Sequence, residues 1–214
     1  MKAIIGNKTL ERIIPSSFLE VVSEMPDNEK IEIIQFHFSK IMETLGLDLT
    51  DESLSDTPNR VAKMYVMEIF SGLKPKNKPE ISLFENKYGY KRMLVEKDIT
   101  LYSNCEHHFV PIIGKAHVAY IPGKQVIGLS KLNRLVQYYA KRPQVQERLT
   151  FQIAEALKEI LQHNDVAVMI EAGHLCVASR GINDTNSITI TAEYCGEFEN
   201  ETIKQEFLSY IRNK

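Results

Sequence analysis

The chain has 214 residues, of which 43% are hydrophobic and 25% are charged, and its formal net charge is -2. This composition is ordinary for a globular protein with one main core, and the near-neutral charge offers no general attraction for nucleic acid or an anionic membrane. No apolar run approaches the roughly 20 residues of a membrane-spanning helix, and residues 1–15 show no secretory signal pattern. The three cysteines, an odd and small number, favour a reducing compartment, the cytosol, over a disulfide framework.

The first third of the chain is predicted to be mainly helical. Residues 1–26 are mixed and are predicted to be partly extended. Apolar residues recur at helical spacing over residues 27–45, and Gly46 can end that helix. A second helix is predicted over residues 57–72, because it begins with a Thr-Pro pair, which suits a first helical turn. Residues 74–79 contain two prolines and three lysines and are predicted to form a loop.

The remainder of the chain is predicted to alternate between strands and helices. Strand, strand, helix, helix, strand, strand is typical of an α+β fold with helices on one face of a mainly antiparallel, four-stranded sheet. Four strands leave two open edges, which favours lateral assembly. We therefore divide the chain into an N-terminal extended and helical region, residues 1–92, and a catalytic region, residues 93–214. Strands are predicted at 93–103, 114–121, 166–172 and 187–194, and helices at 130–142, 144–161 and 201–212.

Two short segments carry most of the metal-binding chemistry, residues 105–108 (CEHH) and residues 174–176 (HLC). A zinc ion prefers thiolate and imidazole ligands, and a catalytic zinc site keeps one position open for water. A single cysteine or histidine is more often a core or surface residue. Here the clustering favours a metal site, with Cys105, His108 and Cys176 as candidate ligands. The spacing alone leaves open a closed structural zinc site with four ligands.

Several cations near helix starts form a second candidate site. The chain contains neither G-x-x-x-x-G-K-[ST] nor G-x-G-x-x-G, so a nucleotide would be bound without either of those loops. Backbone amides at a helix N-terminus attract anions, and nearby cations strengthen that attraction. The set suits a polyphosphate, although a solvated charged face is the plainer alternative for each residue taken alone. Its members are Ser130, Lys131, Arg134, Arg60, Lys63 and Arg180.

Glu147, near the start of a predicted helix, has two possible roles. Its carboxylate can stabilise the helix dipole from the first turn. It can instead accept two hydrogen bonds from the N–H groups of a guanine base, because a carboxylate matches that pair of donors. The sequence pattern does not choose between the two.

Five segments together resemble the GTP cyclohydrolase I family. They are residues 57–65 (TPNRVAKMY), 103–111 (SNCEHHFVP), 128–134 (GLSKLNR), 142–150 (RPQVQERLT) and 174–181 (HLCVASRG). The motifs are long, they occur in a fixed order, and the resemblance extends from about residue 30 to residue 198. It implies a tunnelling fold, in which small antiparallel sheets join into a barrel, and a homodecamer of two pentameric rings.

The resemblance also implies roles for individual residues. Zinc would be held by Cys105, His108 and Cys176, and GTP would be the substrate. Proton transfer would fall to His107 and His174, with Ser130 as a relay at the sugar and Glu106 as a further catalytic candidate. Gln146 and Glu147 would hold the guanine ring. The triphosphate and ribose would be met by Arg60, Lys63, Ser130, Lys131, Arg134 and Arg180.

The implied reaction is the hydrolytic opening of the GTP imidazole ring. Water attacks C8 of the purine, formate leaves, and the ribose carbons rearrange to give 7,8-dihydroneopterin triphosphate, the first step of tetrahydrofolate and pterin biosynthesis. Two alternatives are another pterin enzyme of the tunnelling fold and a catalytically silent, zinc-stabilised binder of pterins or nucleotides. The simultaneous presence of Cys105, His108, Cys176, His107 and His174 favours the cyclohydrolase.

Overall fold

The computed structural model describes residues 25–212. The boundary between two compact units falls between Lys74 and Pro75, while the functional division after residue 92 stays a prediction. The expectations for residues 1–24, a partly extended segment without a signal pattern, lie outside the described residues. Among the helices of residues 25–212, none has the length and hydropathy needed to cross a lipid bilayer.

The first unit contains both helices that were predicted for it. Helix α1 spans Asp27–Thr44. Helix α2 spans Thr57–Lys63, with a proline in its first turn as predicted, and continues as a π-helical turn over Met64–Ile69. Side chains four residues apart on this second helix, Ala62, Val66 and Phe70, are buried, because that spacing places them on one face.

Within the described residues, the second unit contains seven strands and four α-helices, with 3-10 helices at Pro75–Asn77 and Gly196–Glu199. The strands are β1 (Leu83–Glu85), β2 (Leu94–Cys105), β3 (Pro111–Tyr120), β4 (Gln125–Ile127), β5 (Pro143–Gln144), β6 (Val166–His174) and β7 (Thr189–Tyr194). The helices are α3 (Leu129–Ala140), α4 (Gln146–Leu161), α5 (Leu175–Ala178) and α6 (Glu201–Arg212).

The main sheet has the strand order β5-β2-β3-β6-β7. Its four long strands are antiparallel, as predicted. The predicted count of four strands is wrong, because β5 adds a fifth strand of two residues, paired in parallel with Asn104 and Cys105. A segment this short carries no strand periodicity, so the pattern could not reveal it. Strands β1 and β4 form a separate two-stranded ribbon, which was also missed.

Helices pack on both faces of the sheet, so the expectation of helices on one face is wrong. On the first face, α3 and α4 cover a core that includes Val118 and Val168. On the second face, Phe207 of α6 packs with Ala119 and Ala167. Neighbouring strand residues point to opposite faces, and both sets are apolar here. The run of buried residues in β6 therefore reflects a strand covered on both sides.

The strand directions place the two metal-binding segments at the same end of the sheet. Both β2 and β6 run antiparallel to β3, so they run parallel to each other. Strand β2 ends at Cys105 and β6 ends at His174. Cys105 and His174, 69 positions apart in sequence, thereby lie at the same end of the sheet.

Candidate metal centre and active site

The three predicted metal ligands converge. One ligand atom from each of Cys105, His108 and Cys176 lies within 4.8 Å of the other two. Among the described residues, 25–212, no other group of three or more histidine, cysteine or acidic side chains is arranged so that it could hold a metal ion. Cys105 is buried, Cys176 is half-buried and His108 is exposed, so the group opens toward solvent on the side of His108. All three cysteines of the chain are free thiols.

A tight turn after β2 presents Cys105 and His108 on the same side. The amide of Phe109 donates to the carbonyl of Cys105 at 2.8 Å, and the amide of Cys105 donates to the carbonyl of Val110 at 2.8 Å. Phe109 closes the turn with φ of 54°, a left-handed conformation that a non-glycine residue rarely adopts. The turn at the strand end therefore places the i, i+3 pair where both side chains could ligate one metal ion.

Cys176 reaches the group from α5, not from an extended segment. Strand β6 ends at His174 and a short helix begins at Leu175, so the two residues do not lie on one extended segment. The pKa of the Cys176 thiol is raised overall, first by burial and then by the hydrogen bond with Cys105. The nearby Arg180 guanidinium has a smaller, opposite effect on that pKa. Arg180 also donates from Nη1 to Nε2 of His108 at 3.1 Å.

His174 is held by a buried glutamine. Nε2 of His174 and Oε1 of Gln146 are 2.7 Å apart. The side-chain nitrogen of Gln146 donates to the carbonyl oxygens of Ile170 and Thr189 at 3.0 and 2.9 Å, which fixes the orientation of the amide. Nε2 of His174 therefore carries the proton and donates, which leaves Nδ1 as an acceptor.

The ionisation of His174 is set by its surroundings. Burial lowers the pKa of the imidazole, and the nearby Glu147 carboxylate raises it in part. Because an imidazole ordinarily titrates near pH 6.5, a lowered pKa keeps His174 neutral at neutral pH. The ring is thus a neutral imidazole whose Nδ1 can take up a proton.

His107 and Glu106 lie beside the metal group. Nδ1 of His107 is 3.7 Å from Sγ of Cys105, and its Nε2 is 3.9 Å from Oε1 of Glu106. The other carboxylate oxygen of Glu106 accepts a hydrogen bond from Nη2 of Arg148 at 2.5 Å. The sequence assigned no role to Arg148, although it lies in one of the five motif segments, residues 142–150. Its contact with Glu106 is visible only in the fold.

The predicted substrate-binding residues are divided between two units. At the start of α3, Ser130 and Arg134 are exposed and Lys131 is half-buried. Glu147 is exposed in the first turn of α4.

The remaining two predicted substrate residues belong to the first unit. Arg60 donates from Nε to Asp56 at 2.9 Å, and Lys63 ends α2. A role of either side chain in binding a triphosphate stays a prediction. Cys195, the residue after β7, is half-buried against the core, and burial raises the pKa of its thiol.

Comparison with known proteins agrees with this geometry. The family model described as GTP cyclohydrolase I matches residues 34–212. A protein from Flavobacterium johnsoniae named GTP cyclohydrolase 1 is 55% identical over 208 residues, which cover 97% of this chain and 93% of that protein. A protein of the same name from Citrobacter koseri is 50% identical over 212 residues, which cover 99% of this chain and 96% of the relative. Another from Yersinia enterocolitica is 56% identical over 181 residues, covering 84% and 82%. The chain therefore belongs to the GTP cyclohydrolase I family.

Proposed function

We propose that this GTP cyclohydrolase I uses zinc to open the imidazole ring of GTP, releases formate and forms 7,8-dihydroneopterin triphosphate. The observation that carries the proposal is the convergence of Cys105, His108 and Cys176, with a half-buried histidine, oriented by Gln146, two residues before Cys176. A purely structural metal site would have no use for such a neighbour. The product would enter folate and pterin biosynthesis.

The donor set fits zinc. Two thiolates and one imidazole are ligands that zinc prefers, with Zn–S of about 2.3 Å and Zn–N of about 2.0 Å. Two ligand atoms on a tetrahedral ion of that size lie roughly 3.5–3.8 Å apart, so a group within 4.8 Å closes on the ion with a small movement. Zinc held by three protein ligands would act as a Lewis acid and would lower the pKa of a water bound to it toward neutrality.

The protein's own residues would orient the purine and move protons. The Glu147 carboxylate would accept hydrogen bonds from N1–H and the exocyclic amine of guanine, turning C8 toward the metal group, which is an orientation role. His174 would exchange a proton with the purine through Nδ1, while Gln146 keeps Nε2–H engaged. His107, beside Cys105, would carry protons during opening of the ribose, with Ser130 as relay.

Gln146 has a more specific place in this proposal than the sequence suggested. A contact between Gln146 and the guanine ring stays a prediction. Its side-chain oxygen is 2.7 Å from His174, and its side-chain nitrogen donates to backbone carbonyls. The side chain therefore supports proton transfer by fixing the tautomer of His174.

The triphosphate would be bound by cations near the site. Arg180 lies beside His108, and Lys131 and Arg134 follow the N-terminus of α3, where backbone amides favour anions. We include Arg60 and Lys63 of the first unit in the same role. Charge-assisted hydrogen bonds from these groups to phosphate oxygens would hold the substrate while the base reacts.

The proposal extends to assembly and location. The free edges of a small antiparallel sheet support a tunnelling fold in which several chains join into a barrel, and we propose a homodecamer of two pentamers. Three free thiols support a reducing compartment, the cytosol.

The direct test is to incubate the zinc-loaded protein with GTP and to measure formate and the fluorescence of the oxidised pterin product. We expect equal amounts of formate and pterin, loss of both after removal of metal by a chelator, and recovery when zinc is returned. A zinc-loaded protein that binds GTP but releases no formate would instead be a silent binder, and the proposal would be wrong.

A further inference from the structure

We propose that Arg148 is a positioning residue of the metal centre. It would hold the turn of residues 105–109 in the conformation in which Cys105 and His108 reach Cys176. The inference rests on the proposed metal-dependent function and concerns a residue to which the sequence assigned no role. Arg148 lies on α4, outside the turn that it contacts.

The turn has its own backbone hydrogen bonds between residues 105, 109 and 110, but burial adds little to them. His107, His108 and Phe109 are all exposed, so burial does not fix them. Phe109 has φ of 54°, a conformation that a residue with a Cβ atom disfavours. The neighbouring strand β5 contributes only two residue pairs to β2. A metal site needs rigid ligands, so contacts from outside the turn add to the hydrogen bonds within it.

The guanidinium of Arg148 joins three acceptors from two separate segments. Nη2 donates to Oε2 of Glu106 and to the carbonyl oxygen of Pro143, and Nε donates to Oε1 of Gln144 at 2.9 Å. The carbonyl oxygen of Gln144 in turn accepts from the amide of Glu106 at 3.0 Å. The turn, β5 and α4 are therefore tied together at one point.

The acceptor Gln144 is itself fixed, so the arrangement is rigid. Its side chain is buried and its nitrogen donates to the carbonyl oxygen of Tyr139 and to Oε1 of Gln152, both at 2.9 Å. A planar guanidinium can meet several acceptors at once, whereas a lysine ammonium cannot reproduce that fork. The geometry thus requires arginine specifically at position 148.

Glu106 transmits this support to the metal-binding residues. It lies between Cys105 and His107 in sequence, and the oxygen not used by Arg148 is 3.9 Å from Nε2 of His107. Holding the carboxylate fixes the backbone from which Cys105 and His108 project. Partners one step removed from a metal commonly change its affinity by about 10- to 100-fold when they are lost.

The test is metal affinity, measured by competition with a chromophoric chelator on the intact, folded protein. The variants are Arg148→Met, Arg148→Lys, Glu106→Met and the double variant Arg148→Met with Glu106→Met. The matched control is Lys158→Met, because Lys158 lies on the same helix and its ion pair with Glu155, at 2.5 Å, is also removed. Circular dichroism checks that each variant folds.

We expect Arg148→Met to weaken zinc binding by about 10- to 100-fold, Arg148→Lys to show a smaller loss, and Lys158→Met to match the parent. The double variant should lose no more than the worse of the two single variants, because both changes break one interaction. If Arg148 served only the stability of the fold, the losses of zinc affinity in the two single variants would add in the double variant. Lysine at position 148 would then restore no zinc affinity relative to methionine.

Zinc affinity equal to the parent's in Arg148→Met would overturn the proposal, as would additive losses in the double variant. If Arg148→Met does not fold, Arg148→Lys and Glu106→Met decide, and parent-like zinc affinity in both would overturn it. Failure of the parent itself to bind zinc would overturn both this inference and the proposed function. Zinc binding that is equal in the parent and in all variants would overturn this inference but would not contradict the proposed function.

Discussion

At the scale of single residues, neighbouring positions around the metal group have different partners. His174, the last residue of β6, contacts Gln146 at 2.7 Å. Cys176, two residues later, lies in α5 and belongs to the metal group. The change from strand to helix between them turns the two side chains toward different partners. Ligand and proton-transfer roles can therefore be separated by substitution.

We expect His174→Ala to keep its zinc and its GTP binding but to release formate about 10²- to 10⁴-fold more slowly, because that range is typical for loss of a general acid or base. Metal analysis after dialysis and a formate assay provide the measurements. Cys176→Ser is the comparison variant and should lose zinc and activity together. Loss of zinc from His174→Ala on dialysis would show that His174 is itself a ligand.

The two roles considered for Glu147 are distinguished by substrate selectivity. We expect Glu147→Gln to reduce the preference for GTP over ITP, which lacks the exocyclic amine, because a site that hydrogen-bonds a substrate group rejects analogues without it. The measurement is kcat/KM for both nucleotides in parent and variant, with zinc content as the control. An unchanged ratio of kcat/KM for GTP to kcat/KM for ITP would show that Glu147 does not bind the guanine amine and only stabilises the first turn of α4.

At the scale of secondary-structure elements, the site depends on how closely β3 and β6 approach. Ile112 of β3 pairs with His174, and Gly114 pairs with Ala172. A Cβ atom added at Gly114 would lie 2.1 Å from the carbonyl oxygen of Glu171 and 2.5 Å from Cβ of Ala172. These two strands can pack at this distance only because position 114 has no side chain.

We expect Gly114→Ala to destabilise the protein by about 1–3 kcal/mol, the usual cost of forcing extra atoms into a packed region. Urea unfolding at fixed protein concentration measures the effect. Gly123→Ala is the matched control, since its added Cβ would lie 3.8 Å from the nearest atom, a ring carbon of His163, which is ordinary contact. Equal stability of the two variants would contradict the close-approach argument.

At the scale of the whole molecule, the sheet has open edges and exposed apolar side chains. Within residues 25–212, β7 has β6 on one side and no strand on the other. On this edge strand and just before it, Ile190 is 61% exposed and Ile188 is 64% exposed. An exposed apolar edge strand is a site for pairing with another chain, and closed symmetric assemblies satisfy such edges.

We expect the parent protein to be a large homo-oligomer in light scattering and the double variant Ile188→Lys, Ile190→Lys to be smaller, because charges on an edge strand oppose pairing. Tyr88→Lys is the control, since Tyr88 is 98% exposed in the loop after β1. An active monomer at low concentration would show that this assembly is not needed for function.

The sequence by itself determined the long helices and strands and the chemistry that they carry. Helix α6 was predicted over residues 201–212 and begins and ends at those positions, because helical periodicity is a local property of the chain. The candidate metal ligands could likewise be proposed from the sequence, since thiol and imidazole groups keep their preference for zinc wherever they lie. The antiparallel order of the long strands followed from the succession of strands and helices.

Only the tertiary structure decided which distant groups meet. Arg148 and Glu106 are 42 residues apart and Gln146 and His174 are 28 apart, and no local pattern encodes either contact. The second-face packing of α6 was also undetermined, because the apolar run in β6 predicted a strand without showing which element covers each of its faces. Periodicity reports which side of an element is apolar, but the element that covers it is chosen by chain topology and by packing of the whole core.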